Sequence, residues 1–294
     1  MSKRVDDEDA LRVLTIDLEE WFHLLDYDAT RTEAEWRKFE VRIYGNTERL
    51  LRILEETGSS ATFFVIGWIA RTYPDLVRRI AEKYPVGSHT ENHQLVWQQS
   101  PAQFREDVRA SVRRLEDITG RKVDTFRSPG FSIRPSEAWA FEILAEEGIT
   151  VDSSIFPAPA SHGGWPGFPS SSPVLVKGNG FTIKEFPMSV EHFAGRSFGF
   201  AGGGYFRLCP YSLLRRWTRE HEDYSLSYIH PRDLDPDQPM VPGLPLIRRF
   251  KSYYGLAGAE KKLRRYLTDF SFTDLRTAAE QVDWASALIV RIQE

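Results

Sequence analysis

One cysteine in 294 residues, Cys209, leaves nothing for an intrachain disulfide framework and no thiolate cluster to hold a metal. Any metal ligand in this chain is therefore a histidine or a carboxylate. Long apolar runs are missing too: the longest, ATFFVIGWIA at 61–70, is far shorter than the roughly 20 residues a membrane-crossing helix needs. Positive charge is not in excess, since 38 Lys and Arg stand against 42 Asp and Glu for a formal net charge of −4. A nucleic-acid partner is therefore not expected. The first ten residues, MSKRVDDEDA, are polar and acidic with no apolar stretch behind them. They argue against a secretory signal or transit peptide, and residues 1–10 read as a disordered tail on a cytoplasmic protein.

What is present suits a single large domain over 11–294, with 41% apolar residues to build the core. No internal repeat or low-complexity linker interrupts it. Short β-branched or aromatic runs alternate with segments of helical period, the rhythm of an α/β chain. Seven strands are predicted, at 12–19, 61–67, 86–89, 125–131, 149–154, 182–190 and 225–230. Helices are predicted at 46–57, 74–83, 101–119, 135–147 and 211–222. The helix at 101–119 has the firmest signals: Ser100 caps it, Pro101 suits its first turn and Gly120 ends it. The pattern implies a barrel-like sheet with its chemistry at the C-terminal strand ends. Polar residues gather there: Asp17, Glu19, His89, Arg127, Asp152 and His230 all fall at or near strand ends. The Pro-, Gly- and Ser-rich stretch from about 155 to 205 reads either as a wall of a substrate cleft or as a long surface insertion.

Alternation along the strand sends Asp17 and Glu19 to one face, and two carboxylates sharing a pocket call for a positive partner. His89 and His93, four apart in GSHTENHQLVW, can grip one ion from one side of a helical turn. With one carboxylate they form a two-His, one-carboxylate site with open positions, which suits hydrolysis. The order His-Thr-Glu-Asn-His does not fit the H-E-x-x-H protease motif. Arg127 beside Asp17 would keep that acid ionised as a base, or form a plain ion pair. Asp152 beside His230 would raise the imidazole's pKa and make it a proton donor to a leaving amine. Trp21, Trp97, Trp165 and Tyr205 are candidates either for sugar stacking or for the core.

The ordered series TIDLE, SHTENH, RSPGF, DSS and YIH resembles the polysaccharide deacetylase family, the chitooligosaccharide deacetylase-like carbohydrate esterases, over about 11–232. With DLEEWFH, ATFFVIGW, DSSIFP, GGGYFRL and YIHPRDLDPDQP it looks like the branch found at bacterial exosortase and exopolysaccharide loci. The resemblance implies a distorted (β/α)7 barrel with a C-terminal extension, 232–294, packed on it. It implies a divalent metal, zinc by preference, on Glu19, His89 and His93, with Asp17 as base, Arg127 orienting it, His230 as acid and Asp152 tuning that acid. The implied substrate is an N-acetylated amino-sugar glycan; alternatives are another amide, or glycan binding without turnover. The family's adjacent Asp-Asp is absent, which leaves Glu19 or Glu20 as the carboxylate ligand, and strand alternation favours Glu19. An oxyanion would rest on the metal and on a backbone N–H at Gly130 or Phe131. Seven Lys and Arg in 248–267, with Leu263, Tyr266, Leu267 and Phe270 at helical spacing, fit either peripheral contact with the inner membrane surface or a helix packed on the barrel.

Overall fold

The first strand is mostly apolar and buried on both faces, as a strand enclosed in a parallel sheet must be, with Arg12 and Thr15 its polar members before Asp17. In the computed structural model, which describes residues 10–25, 27–193 and 195–292, it is β1 (Leu11–Leu18), with Val13, Leu14, Ile16 and Leu18 fully buried. The other strands are β2 (Thr62–Val65), β3 (Val86–Ser88), β4 (Thr125–Phe126), β5 (Val151–Asp152), β6 (Val174–Lys177), β7 (Thr182–Glu185), β8 (Glu191–Phe193), β9 (Arg196–Phe198), β10 (Tyr224–Ile229) and β11 (Ile289–Arg291). The helices are α1 (Glu33–Trp36), α2 (Ile43–Thr57), α3 (Gly67–Thr72), α4 (Pro74–Ala81), α5 (Pro101–Thr119), α6 (Ala140–Glu146), α7 (Gly203–Leu208), α8 (Tyr211–Glu220), α9 (Leu246–Tyr253), α10 (Leu256–Asp269) and α11 (Leu275–Gln281). Residues 1–9 of the expected tail lie outside the described residues.

One nine-stranded sheet runs β10-β1-β2-β3-β4-β5-β7-β6-β11, and only the β6–β7 pair is antiparallel. All seven predicted strands are in it, as β1 to β5, β7 and β10. It is a mostly parallel sheet flanked by helices, the distorted (β/α)7 barrel expected. The distortion sits between β7 and β10, where no ladder is formed among the described residues. Side chains span that seam instead: Tyr224 Oη donates to Pro187 O (2.8 Å) and Leu226 N to Ser189 Oγ (2.8 Å). Two predicted strands are cut short for local reasons. Residues 125–131 leave the sheet after Phe126 because Gly130 and Phe131 take positive φ (60° and 52°). The 182–190 run ends at Glu185, two residues before Pro187, which has no N–H for a ladder.

Helix α5 matches its signals. Ser100 and Gln103 form a capping box, and Gly120 closes the helix at φ 63°. Its buried Phe104, Val108, Val112 and Leu115 hold the sheet side. At the other end of the chain, α10 buries Leu263, Tyr266 and Leu267, and Tyr266 Oη meets Thr218 Oγ1 (2.8 Å) and Ser227 Oγ (3.2 Å). That part of 248–267 is thus a helix packed on the barrel. Helix α11 follows, docked by Leu275 and Ala278, and β11 extends the sheet beyond β6. Among the described residues no helix is long and apolar enough to cross a membrane.

Candidate active site

The ends of β1, β3, β4 and β10 open on one side of the sheet, and each delivers one part of a polar cluster. From β1, Asp17 and Glu19 emerge on the same face. Glu20 turns away, its carboxylate accepting from the backbone N–H groups of Trp21 (3.2 Å), Arg42 (2.7 Å) and Ile43 (2.9 Å). Burial pushes the Glu20 carboxyl up to about 7, with those three donors opposing. Glu19, not Glu20, therefore faces the histidines, with Oε1 at 2.9 Å from His93 Nε2 and 3.3 Å from His89 Nε2.

The two histidines do not share a helical turn. Residues 89–93 form a tight bend in which Thr90 and His93 both take left-handed φ (65° and 55°), a conformation that costs about 1–3 kcal/mol per residue and persists only where the surroundings hold it. The holding groups are visible. Thr90 Oγ1 accepts from His93 N (3.0 Å), and the buried Asp107 of α5 accepts from Glu91 N (2.8 Å), Asn92 N (3.2 Å) and Asn92 Nδ2 (2.8 Å). Glu91 points off to Arg114 (3.1 Å).

His89 Nδ1 faces the carbonyl of Arg127 at 2.8 Å, so Nδ1 carries the hydrogen and Nε2 presents its lone pair towards Glu19. A lone pair aimed at a carboxylate oxygen repels it unless a second proton or a metal cation sits between. One ligand atom each from Glu19, His89 and His93 lies within 4.8 Å of the others, so this donor set fits a divalent ion. Burial would raise the Glu19 carboxyl, but the imidazoles of His93, His230 and His89 hold it well below the usual carboxylate range.

Arg127, fully buried at the end of β4, is bound on every side. It donates to Asp17 Oδ1 (2.9 Å), Thr15 Oγ1 (2.7 Å), Ser153 O (2.9 Å) and Ser153 Oγ (2.8 Å), and lies over the Phe64 ring at 4.6 Å. His230, after β10, has the most open side chain of the three site imidazoles. Its Nε2 lies 4.0 Å from Asp17 Oδ2 and 3.9 Å from Glu19 Oε1.

Asp152 does not accompany His230. It is sealed under the sheet end, bonded to Ser154 Oγ (2.7 Å) and Ser154 N (3.0 Å), and faces its register partner Glu185 on β7. Burial pushes both carboxyls up, and the Asp152 charge pushes Glu185 further, so this pair holds a proton. The carboxylate beside His230 is Asp233, whose Oδ2 is 3.0 Å from His230 Nδ1 and also accepts His230 N (3.0 Å). Asp233 is in turn paired with Arg207 of α7, Nε to Oδ1 at 2.9 Å. Burial alone would lower the His230 imidazole, but the carboxylates of Glu19, Asp233 and Asp17 outweigh it and lift it to about 9. The sequence carried a signal for Asp233 in H-P-R-D, where proline at the first helical position and an acid at the third form a capping box with His230. For Arg207 it carried none.

A third buried imidazole, His23, lies 5.8 Å from His93 between ring centroids; burial and then His93 hold it well below the usual histidine range. Trp21 belongs to the core, its Nε1 donating to Glu40 O (2.9 Å), whereas Trp97 and Tyr205 are exposed. The 155–205 stretch closes over the Pro129–Phe131 turn: Gly164 N donates to Phe131 O (2.9 Å), and Trp97 Nε1 to His162 O (2.7 Å). Phe131 N is engaged by Ser128 O (3.2 Å).

A carboxylate pinned by arginine and an imidazole held by a second carboxylate thus flank a group of three side chains that could hold one cation. The family model described as polysaccharide deacetylase matches residues 38–145, and a second, described as a domain of unknown function (DUF3473), matches 153–280. A chitooligosaccharide deacetylase of Azorhizobium caulinodans is 31% identical over 100 residues, 33% of this chain and 45% of that protein. An uncharacterized 30.6 kDa protein of Geobacillus stearothermophilus is 30% identical over 86 residues, 29% of this chain and 32% of its own length. The chain thus spans between a third and a half of these curated relatives. Among solved structures, a proposed polysaccharide deacetylase from Mycobacterium smegmatis superposes with TM-score 0.65 at 19% identity, over 97% of this chain and 94% of that one. A mutant CE4 family pseudoenzyme of Bacillus anthracis with restored activity gives 0.50 at 14%, over 92% and 68%. The chain is thus similar to the polysaccharide deacetylase family over residues 38–145, and it shares the fold of a solved structure from that group.

Proposed function

We propose that this protein is a metal-dependent hydrolase that removes N-acetyl groups from amino sugars of a bacterial polysaccharide or its lipid-linked precursor. The observation that carries the reading is the convergence of Glu19, His89 and His93 on one point, with Asp17 and His230 beside Glu19. Glu19, His89 and His93 would hold the ion, zinc by their chemistry; when bound, it polarises the acetyl carbonyl and lowers the pKa of a bound water towards about 7. Asp17, oriented by its hydrogen bond from Arg127, accepts the proton of the attacking water. His230, its pKa lifted by the carboxylates of Glu19, Asp233 and Asp17, gives its proton to the amine as the C–N bond breaks, and acetate leaves. Because Phe131 N–H is already engaged by Ser128 O, Gly130 is the better of the two expected backbone donors for the oxyanion. The exopolysaccharide setting rests on the sequence resemblance.

The rival reading is a relative that binds glycan without turnover, and a pseudoenzyme among the structural neighbours gives it a specific basis. Elemental analysis and acetate release from N-acetylhexosamine oligomers separate the two. The proposal expects about one ion per chain, loss of activity on chelation with recovery on zinc, and an Asp17→Asn variant that keeps its ion while losing about 10²–10⁴-fold in kcat. Acetate release that is absent, or indifferent to Asp17→Asn, would overturn it.

A further inference from the structure

Helix α9 is unlike every other helix in what it leaves outside. Leu246 is 81% exposed, Ile247 75%, Phe250 50% and Tyr254, just past its end, 51%. Leu246, Phe250 and Tyr254 follow at intervals of four, so with Ile247 they make one apolar stripe, and the Phe250 and Tyr254 rings touch at 4.7 Å between centroids. The opposite side of the helix is tied down. Ser252 is buried, Arg248 donates to Leu25 O (2.8 Å), and Arg207 donates to the carbonyls of Lys251 (2.9 Å) and Tyr254 (2.5 Å). The stripe is therefore held outward by a rigid base.

Its charge is one-sided. From Gln238 to Ala259 the chain holds no Asp or Glu, while Arg248, Arg249 and Lys251 interleave the apolar residues, and Arg249 and Lys251 are exposed. A net charge of −4 for the whole chain makes this local excess of cations the more distinct. A second copy meeting the same patch about a two-fold axis would bring like charges together, which costs affinity. Exposed apolar side chains flanked by Lys and Arg match the headgroup boundary of an anionic bilayer, where the apolar groups enter and the cations meet lipid phosphates.

We propose that α9 is a docking surface for an anionic lipid membrane. The base of the helix also touches the site. Arg207, which binds the α9 carbonyls, pairs with Asp233 behind His230, and Arg248 donates to Leu25 O on the segment that follows β1. Docking through α9 therefore holds the site, linked to it through Arg207 and Asp233, near a glycan presented at the bilayer. Only that consequence rests on the deacetylase reading; the docking itself is read without turnover.

The test is flotation of the full chain with vesicles of phosphatidylcholine alone and of phosphatidylcholine with phosphatidylglycerol, at low and high salt, with analytical ultracentrifugation of the same samples. The expected result is binding to the anionic vesicles only, weakened by salt, weakened about fivefold for each of Arg249→Gln and Lys251→Gln, and abolished by Leu246→Glu/Ile247→Glu. Both pairs of side chains are in solvent, so thermal midpoints and acetate release from soluble oligomers stay at wild-type values. No binding to anionic vesicles, binding indifferent to Leu246→Glu/Ile247→Glu, or a wild-type dimer that the same variant dissolves would each overturn the proposal, the last in favour of a second copy.

Discussion

The pairing of His230 with Asp233 rather than Asp152 is a matter of three residues of backbone. Pro231 starts a 3-10 turn directly after β10, and the turn folds Asp233 back onto its own cap residue, so the carboxylate beside His230 is local in sequence. Asp152, two strands further round, is already committed to Ser154 and Glu185. The expected consequence is a split between two conservative variants. Asp233→Asn removes one of the carboxylates that lift His230 to about 9, so its pKa falls; a general acid works only while protonated, and the alkaline limb of kcat/KM moves to lower pH, with kcat down roughly 10–100-fold. Asp152→Asn leaves that limb in place. pH–rate profiles of the two variants decide between the structural pairing and the one the sequence suggested. Strand alternation was enough to put Asp17 and Glu19 on one face, because a period of two needs no tertiary information. The closeness of His89 and His93 was also legible, but its cause was not. Left-handed Thr90 and His93 are held by Thr90 Oγ1 and by Asp107 from α5, whose contacts to Glu91 and Asn92 span 16 and 15 residues and which no local pattern announces.

At the scale of elements, Arg127 works as a tie across the sheet's open end. One guanidinium joins Thr15 and Asp17 of β1 to Ser153 just beyond β5, and its carbonyl orients His89 after β3. Removing one partner of such a buried pair leaves the other charge uncompensated, so Arg127→Met should cost about 3–5 kcal/mol of stability in denaturant unfolding. Asp17→Asn in the same chain should recover part of that loss, because the orphaned charge is gone; strict additivity of the two changes would show that the tie is not energetically coupled. The elements themselves were readable where signals are local, as in α5 with its capping box and terminal glycine. They were not readable where pairing alone makes the strand. VLVK at 174–177 and IVR at 289–291 are too short to declare themselves and become β6 and β11 only because each finds a neighbour's edge.

On the scale of the whole chain, the two family matches divide it between residues 145 and 153, yet the fold has no seam there. Strand β5, at 151–152, lies on the boundary and is hydrogen-bonded on one side to β4 from the first part and on the other to β7 from the second. The first strand is paired with β10 over six residues, and Val13 bridges to Thr273, so the second part also closes the opposite edge of the sheet. The candidate site is divided in the same way, with Asp17, Glu19, His89, His93 and Arg127 before the boundary and His230 and Asp233 after it. Residues 232–292 continue this closure through α10 and α11, whose Leu263, Tyr266, Leu267 and Leu275 are sealed against the sheet. Neither part alone can cover β1 or β5, and an uncovered parallel strand exposes apolar side chains and unpaired backbone together. The chain is therefore expected to unfold as one cooperative unit, with tryptophan fluorescence and far-UV circular dichroism giving coincident denaturant transitions. Residues 1–152 and 153–294 expressed separately should be insoluble or lack a cooperative transition. Two resolved transitions in the full chain, or one half that folds by itself, would mean that the family boundary is also a physical one.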